Sequence, residues 1–169
     1  MASSYQEMNL MYMPAIVAER TADYERVYES NRHRVYSLAF WMTDNELVAE
    51  HVATAAFVRA FAASTDPTSE MIDRALLAEV RELVSLGPLT LHCADAASVV
   101  SVRRNIKRIH MERAVIQLPA TERMIFLLHD VESYDKVRIA RLLGLSAEEV
   151  LQGLHQARLG MREAIAEQQ

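Results

Sequence analysis

Apolar residues recur every three or four positions along almost the whole chain, and no stretch alternates strictly enough to argue for a strand. Tyr24, Val27, Tyr28, Val35, Leu38, Ala39 and Met42 follow one helical stripe, which predicts a helix over about residues 21–42. The segment TDNE follows and reads as a capping box. Thr43 is placed to accept an orphan backbone N–H, and Glu46 to reach back. A second helix then carries Leu47, Val48, Val52, Ala56, Phe57 and Ala60 on one side. STDPTS, residues 64–69, is a turn cluster and a fresh N-cap, and a third helix is expected over about 70–85.

The pattern breaks at Leu86-Gly87-Pro88, which marks the start of a linker. Asp95 is placed to cap a long helix ending near Leu118-Pro119, and a helix over about 121–131 carries Met124, Ile125, Leu127 and Leu128. The fold class expected is all-α, with two small helical domains. The first spans 1–86, of which 1–19 is an N-terminal tail, the linker spans 87–94, and the second domain spans 95–169. With only 4 glycines and 4 prolines, the composition favours helix throughout.

RIARLLGLSAEEVLQGL, residues 138–154, has the spacing of a helix-turn-helix. Ala140 is small where two helices must cross closely. Gly144 follows four residues later, where the turn favours positive φ. Ile139, Leu143 and Leu145 fill the corner, and Val150 packs the second helix onto the first. Ser146 and Glu149 form a capping box, so Glu149 serves a helix end where negative charge is favoured. Val150, Leu154, Ala157 and Met161 form the buried stripe, and Glu148, Gln152, His155 and Leu159 lie opposite. In a major groove Gln152 could pair with adenine and Glu148 could accept from cytosine. Arg158 and Arg162 could reach phosphate. Arg138, Ser146 and His155 complete the candidate DNA-binding set on this unit. Upstream, RRNIKR offers Arg103, Arg104, Lys107 and Arg108, either as phosphate contacts or as a solvated helix face.

Charge complicates a nucleic-acid reading, because the net charge is −5. It is unevenly spread: 7 arginines face 14 acids up to Ala97, whereas 11 cations face 9 acids from Ser98 on. Different partners for the two halves are implied. Cys93 is the sole cysteine and excludes an internal disulfide. Beside His92 it reads as a small buried residue, since no second Cys/His pair completes a metal set. The six histidines lack metal-binding spacing, and no nucleophile or paired-carboxylate arrangement stands out. No enzymatic activity, metal, cofactor or small-molecule substrate is therefore expected. The N-terminus lacks a basic region and a long apolar core, and no run of 18 apolar residues occurs. The expectation is a cytoplasmic protein without membrane insertion.

The back half resembles region 4 of the sigma-70 family, in its small two-domain extracytoplasmic-function (ECF) type. The residues that carry the resemblance are Leu118-Pro119, Arg123, the apolar run from Met124 to Leu128, the acidic turn from Asp130 to Glu132, Ile139-Ala140, Leu143-Gly144, Val150 and Ala157-Arg158. More loosely, YERVYESNRHRVYSLAF and LVAEHVATAAFVRAF resemble the first and the polymerase-binding helices of region 2. The resemblance implies a transcription initiation factor that binds core RNA polymerase through region 2. It would melt the −10 element with the same domain and read the −35 element with the helix-turn-helix. Its polymerase-binding residues would be Glu46, Glu50, His51, Thr54 and Arg59.

The chain departs from the family pattern at several places. After Ala49-Glu50 the family usually has Asp and then a Gln-Glu pair, whereas this chain has His51, Thr54 and Ala55. The next helix lacks the family's Trp and Asn. No Phe, Trp or Tyr occurs between Ala62 and Ile125, so a stacking platform for flipped bases is missing there. That helix carries Glu70, Asp73, Glu79 and Glu82 against Arg74 and Arg81, a balance that repels a phosphate strand. Trp41 beside Phe40 reads as core. After Val150 stand Leu151, Gln152 and Gly153 where the family often has Lys and Arg. Two alternatives follow: a degenerate sigma-like regulator that binds an anti-sigma factor or other protein partner, and a simple helix-turn-helix transcription regulator.

Overall fold

The computed structural model describes residues 3–87, 89 and 108–167, with side chains from residue 21 on. Its described elements are helical. α1 (Ser3–Thr43), α2 (Glu46–Ala63) and α3 (Ser69–Leu83) build the front unit. α4 (Arg108–Gln117), α5 (Ala120–Phe126), a π-turn (Leu127–Val131), α6 (Lys136–Leu143) and α7 (Ala147–Glu167) build the back unit. Asp95, Cys93 and most of the linker lie outside the described residues.

In the front unit α1 is longer than its apolar stripe required. Residues 3–19, expected as part of the N-terminal tail, are helical. No glycine or turn cluster separates them from the stripe, and their Glu, Gln, Met, Leu and Ala content favours helix. Val35, Leu38, Ala39 and Met42 are buried as the periodicity required. The turn into α2 is tighter than expected. Thr43 still belongs to α1 and donates to the Ala39 carbonyl (2.9 Å). Asp44 takes a left-handed conformation at φ 52°. The cap is Asn45, whose side chain accepts from the Val48 N–H at 3.1 Å, so the Thr43–Glu46 capping box does not form.

α2 buries Ala49, Val52, Ala53, Ala56, Phe57 and Ala60. Four of these six are alanine, which lets the helices approach closely. Leu47, expected on the buried side, is 79% exposed, because the buried register starts at Ala49. Tyr24 stacks on Phe61 (4.9 Å) and Tyr28 meets Phe57 edge-on (4.8 Å), which ties α1 to the far end of α2. α3 starts behind Thr68, whose hydroxyl accepts from the Met71 N–H.

In the back unit Met124 and Ile125 of α5 pack beneath α7, which buries Val150, Leu154, Ala157 and Met161, and the turn residues Leu127 and Leu128 are buried in the same core. The helix expected over 121–131 widens into the π-turn after Phe126. Glu132 and Tyr134 then donate their N–H groups to the carbonyls of Leu127 (3.0 Å) and Leu128 (2.9 Å), which aims Tyr134 inward. Gly153 lets the tips of the Ile125 and Leu89 side chains approach α7 closely. A Cβ there would lie 2.5 Å from Ile125 Cδ1 and 2.9 Å from Leu89 Cδ2.

The helix-turn-helix corner forms as the sequence predicts. Gly144 adopts φ 73°, ψ 32°, and the N–H groups of Gly144 and Leu145 both donate to the Ala140 carbonyl at 2.9 Å. Nothing lies within 4 Å of a Cβ built on Gly144, so the requirement for glycine is conformational. Gly144→Val is expected to cost more than about 1 kcal/mol, whereas Gly144→Asn, which tolerates the left-handed region, costs less. Thermal melts of both variants check this, and equal losses would mean that bulk at the corner matters and backbone strain does not.

Candidate nucleic-acid interface

α7 begins at a well-formed cap. The Ser146 hydroxyl accepts from the Glu149 N–H (3.1 Å), and the Glu149 carboxylate accepts from the Ser146 N–H (2.7 Å). These bonds hold the Glu149 carboxyl below its ordinary range. From this start α7 turns Glu148, Leu151, Gln152, His155, Arg158 and Arg162 outward, all exposed. Leu159, expected on this face, is half-buried.

Few cations remain available on this face. Two of the three Arg158 guanidinium nitrogens, Nε and Nη2, donate to Asp130 of the π-turn, at 2.9 and 2.6 Å, and the pairing lowers the Asp130 carboxyl below its usual value. Arg162 makes no ion pair among the described residues. Arg108 is exposed and reaches Glu112 at 2.6 Å. Arg103, Arg104 and Lys107 lie outside the described residues.

Arg138 stands differently from the rest of the DNA-binding set. It is half-buried and donates to Asp73 of α3 at 2.7 Å. Asp73 is 2% exposed, so it does not add to the acidic surface that α3 presents. Its second oxygen accepts from Arg34 of α1. The Tyr134 hydroxyl donates to the same oxygen as Arg138, at 2.9 Å, and accepts from Arg34 at 2.6 Å. Arg34 also donates to Asn31 (2.5 Å), and the Arg138 guanidinium lies 3.7 Å from the centre of the Tyr134 ring. Burial first, and the Asp73 charge next, push the Tyr134 hydroxyl up to about 12.

Two further contacts flank this seam. Arg141 of α6 lies 3.4 Å from Glu70 of α3, and Arg81 donates to the Leu142 and Leu143 carbonyls at the end of α6 (3.4 and 3.2 Å). Arg123 serves as a second link between the units. It donates to the Trp41 (3.2 Å) and Met42 (3.5 Å) carbonyls at the end of α1, and to those of Ile116 in the last turn of α4 and Leu118 just past it. Burial lowers its pKa from the ordinary arginine value.

Sequence reasoning missed the joint role of Arg34, Asp73, Tyr134 and Arg123. A signal was present for Asp73, which shares a stripe with Leu76, Leu77 and Val80 at spacings of three, four and seven, all buried. A carboxylate on an apolar stripe needs a cationic partner.

On the front unit Glu46, Glu50, His51, Thr54 and Arg59 are all exposed on α2. Arg59 is tied to Glu79 at 2.6 Å. Glu50 and Thr54 line an open groove of about 510 Å³ between α1 and α2, walled by Tyr28, Tyr36, Phe57 and Phe61. Phe40 and Trp41 pack edge-on at 5.7 Å, both half-buried. Among the described residues no group of His, Cys, Asp and Glu could hold a metal, and no helix is long and apolar enough to cross a membrane.

Residues 110–160 match the family described as Sigma-70, region 4. The matched span begins in α4 and ends in α7, so it contains the whole helix-turn-helix. No curated protein matches the chain.

Tyr134→Phe removes a donor to a buried carboxylate and an acceptor from Arg34, and is expected to cost about 1–3 kcal/mol. The phenol ionises near 10 when unfolded and near 12 when folded. Its contribution is therefore complete below pH 10 and is lost as pH rises through 12. Ultraviolet titration should show one tyrosine ionising late in the wild type, and that step should vanish in Tyr134→Phe.

Proposed function

We propose that the protein is a sigma-70-like transcription initiation factor of the ECF type, which binds core RNA polymerase in the cytoplasm and directs it to promoter DNA. The observation that carries this reading is the helix-turn-helix itself. A left-handed Gly144 and a reciprocally capped α7 lie inside the span that matches sigma-70 region 4. In this reading α7 enters the major groove of the −35 element. Gln152 and Glu148 meet base edges, and Arg162, Arg158 and the 103–108 segment meet phosphate. The exposed side of α2, where Glu50, His51 and Thr54 sit between Leu47 (79% exposed) and Val58 (63% exposed), docks on the polymerase. Apolar residues among the polar ones support a protein-facing role for this surface.

A second reading is favoured by the internal pairing of Arg138, Arg141 and Arg158. A sigma-like regulator that binds an anti-sigma factor or another protein partner would need fewer free cations. Competition against a housekeeping sigma factor for purified core enzyme separates the two. An initiation factor is expected to bind weakly but measurably, because each missing charge-assisted contact costs about 1.5–3 kcal/mol, and Glu50→Lys should weaken it further. No binding at tens of micromolar, a free energy weaker than about −6 kcal/mol, would reject the initiation-factor reading. Run-off transcription on a promoter library then tests promoter direction. In binding assays at physiological salt the chain is expected to hold duplex DNA no tighter than about 10⁻⁵ M, and tight, salt-insensitive binding would contradict this.

A further inference from the structure

α1 is longer than the bundle it belongs to. Its 41 residues form one helix, about 60 Å long at 1.5 Å per residue. α2 runs back along it and ends level with Tyr24, which stacks on Phe61 and donates to the Ser64 carbonyl at 3.4 Å. α3 then turns the other way, since Asp73, near its start, meets Arg34. Neither helix therefore runs beside residues 3–20. The composition of those residues does not suit a solvated helix. Tyr5, Met8, Tyr12 and Ile16 recur on one face and Leu10, Met13 and Val17 on another, and Glu7 is the only charge before Glu19. A helix apolar on more than one face belongs in an interior. Pro14 also removes a backbone hydrogen bond from α1, so helix at that end needs packing to persist.

The same unit carries an open apolar groove. Tyr28, Tyr36, Phe57 and Phe61 wall about 510 Å³ between α1 and α2. Tyr28 and Tyr36 remain 41% and 40% exposed, and Val58 of the same lining 63%. Residues 3–20 cannot fill this groove in their own chain, because they continue the helix that forms one of its walls. Even a sharp bend at Pro14 would lay residues 3–13 beside 15–25, short of Arg32 and Tyr36 in the lining. The same segment of a second copy meets no such limit.

We infer that the groove receives a second copy of this chain, with residues 3–20 of each protomer seated between α1 and α2 of the other in an antiparallel, two-fold dimer. The segment matches α2 in length, 18 residues. With Ser4 of one copy level with Tyr36 of the other, Tyr12 comes level with Tyr28, and Glu7 with His33, next to Arg32. Arg32 pairs with Glu29 of its own helix at 2.8 Å, and both are exposed. Such a contact is worth little in water, which leaves the guanidinium free to turn to Glu7. The tyrosines of the two segments alone would bury about 600–1,000 Å², a large part of the roughly 1,600 Å² of a standard interface. A lipid surface fits less well, because no Lys or Arg precedes Arg20 to meet anionic headgroups. The dimer does not depend on the initiation-factor reading, although it would cover Glu50 and Thr54.

Sedimentation velocity of the full-length chain over a concentration series tests this. A monomer–dimer equilibrium with Kd of about 10⁻⁵ M or tighter is expected. Tyr12→Glu on the segment and Tyr36→Glu on the groove should each weaken it about tenfold or more, with the helical circular-dichroism signal retained. In a Cys93→Ser background, Glu7→Cys and His33→Cys proteins should cross-link to each other when mixed and oxidised, and neither to itself. A chain that stays monomeric at about 100 μM overturns the inference, and flotation of that monomer with phosphatidylcholine vesicles would assign residues 3–20 to lipid instead. A dimer that keeps its affinity in both glutamate variants, or gives no mixed cross-link, uses another surface and equally overturns it. Should Tyr36→Glu lose its helical signal, Val58→Glu on the same lining takes its place with the same expected loss.

Discussion

A carboxylate that water cannot reach must find cations, and Asp73 finds two. One comes from α1 and one from α6, so the need to neutralise a single buried charge fixes how the front and back units meet. The Tyr134 hydroxyl fills the remaining space, donating to Asp73 while accepting from Arg34. Removing any one member leaves another buried and underpaired, which is why the group acts as a unit. Such a seam gives little net stability over a well-packed apolar contact. Its geometry is specific, however, because two guanidinium groups and a phenol must converge on one carboxylate.

Arg123 solves a different problem at the other end of the same interface. The last carbonyls of α1 and α4 have no partners within their own helices. A half-buried guanidinium placed between them serves both ends at once. Favourable placement of a cation at two helix C-termini offsets part of its desolvation. The units are therefore joined by charge in both places, and also by apolar packing, since their buried residues form one continuous cluster.

Most of the secondary structure was legible because helical periodicity is a local signal. The corner was legible in detail, since Gly144, Ser146 and Glu149 each act within a few residues of themselves. Thr43 and Asn45 were confused because a Thr and an Asn two residues apart can both cap, and only the backbone shows which lies in the extended conformation. Leu47 was misassigned for a different reason: it lies two positions before Ala49, about 200° around the helix from the stripe that Ala49, Val52, Ala56 and Ala60 bury. The candidate site was only half legible. The outward face of α7 follows from spacing, but the fate of Arg138 depends on Asp73, 65 residues away. A pairing across that distance leaves a trace at one end only, the acid set among leucines.

The seam also orders events in time. Arg34 and Tyr134 are separated by 100 residues, and ordering so much intervening chain carries an entropy cost that local helices do not meet. The three front helices emerge first during synthesis. They can bring Arg34 to Asp73 while the rest of the seam is still unmade. Tyr134 and Arg138 can dock only after the linker and two more helices have followed, so closure of the seam is a late folding step.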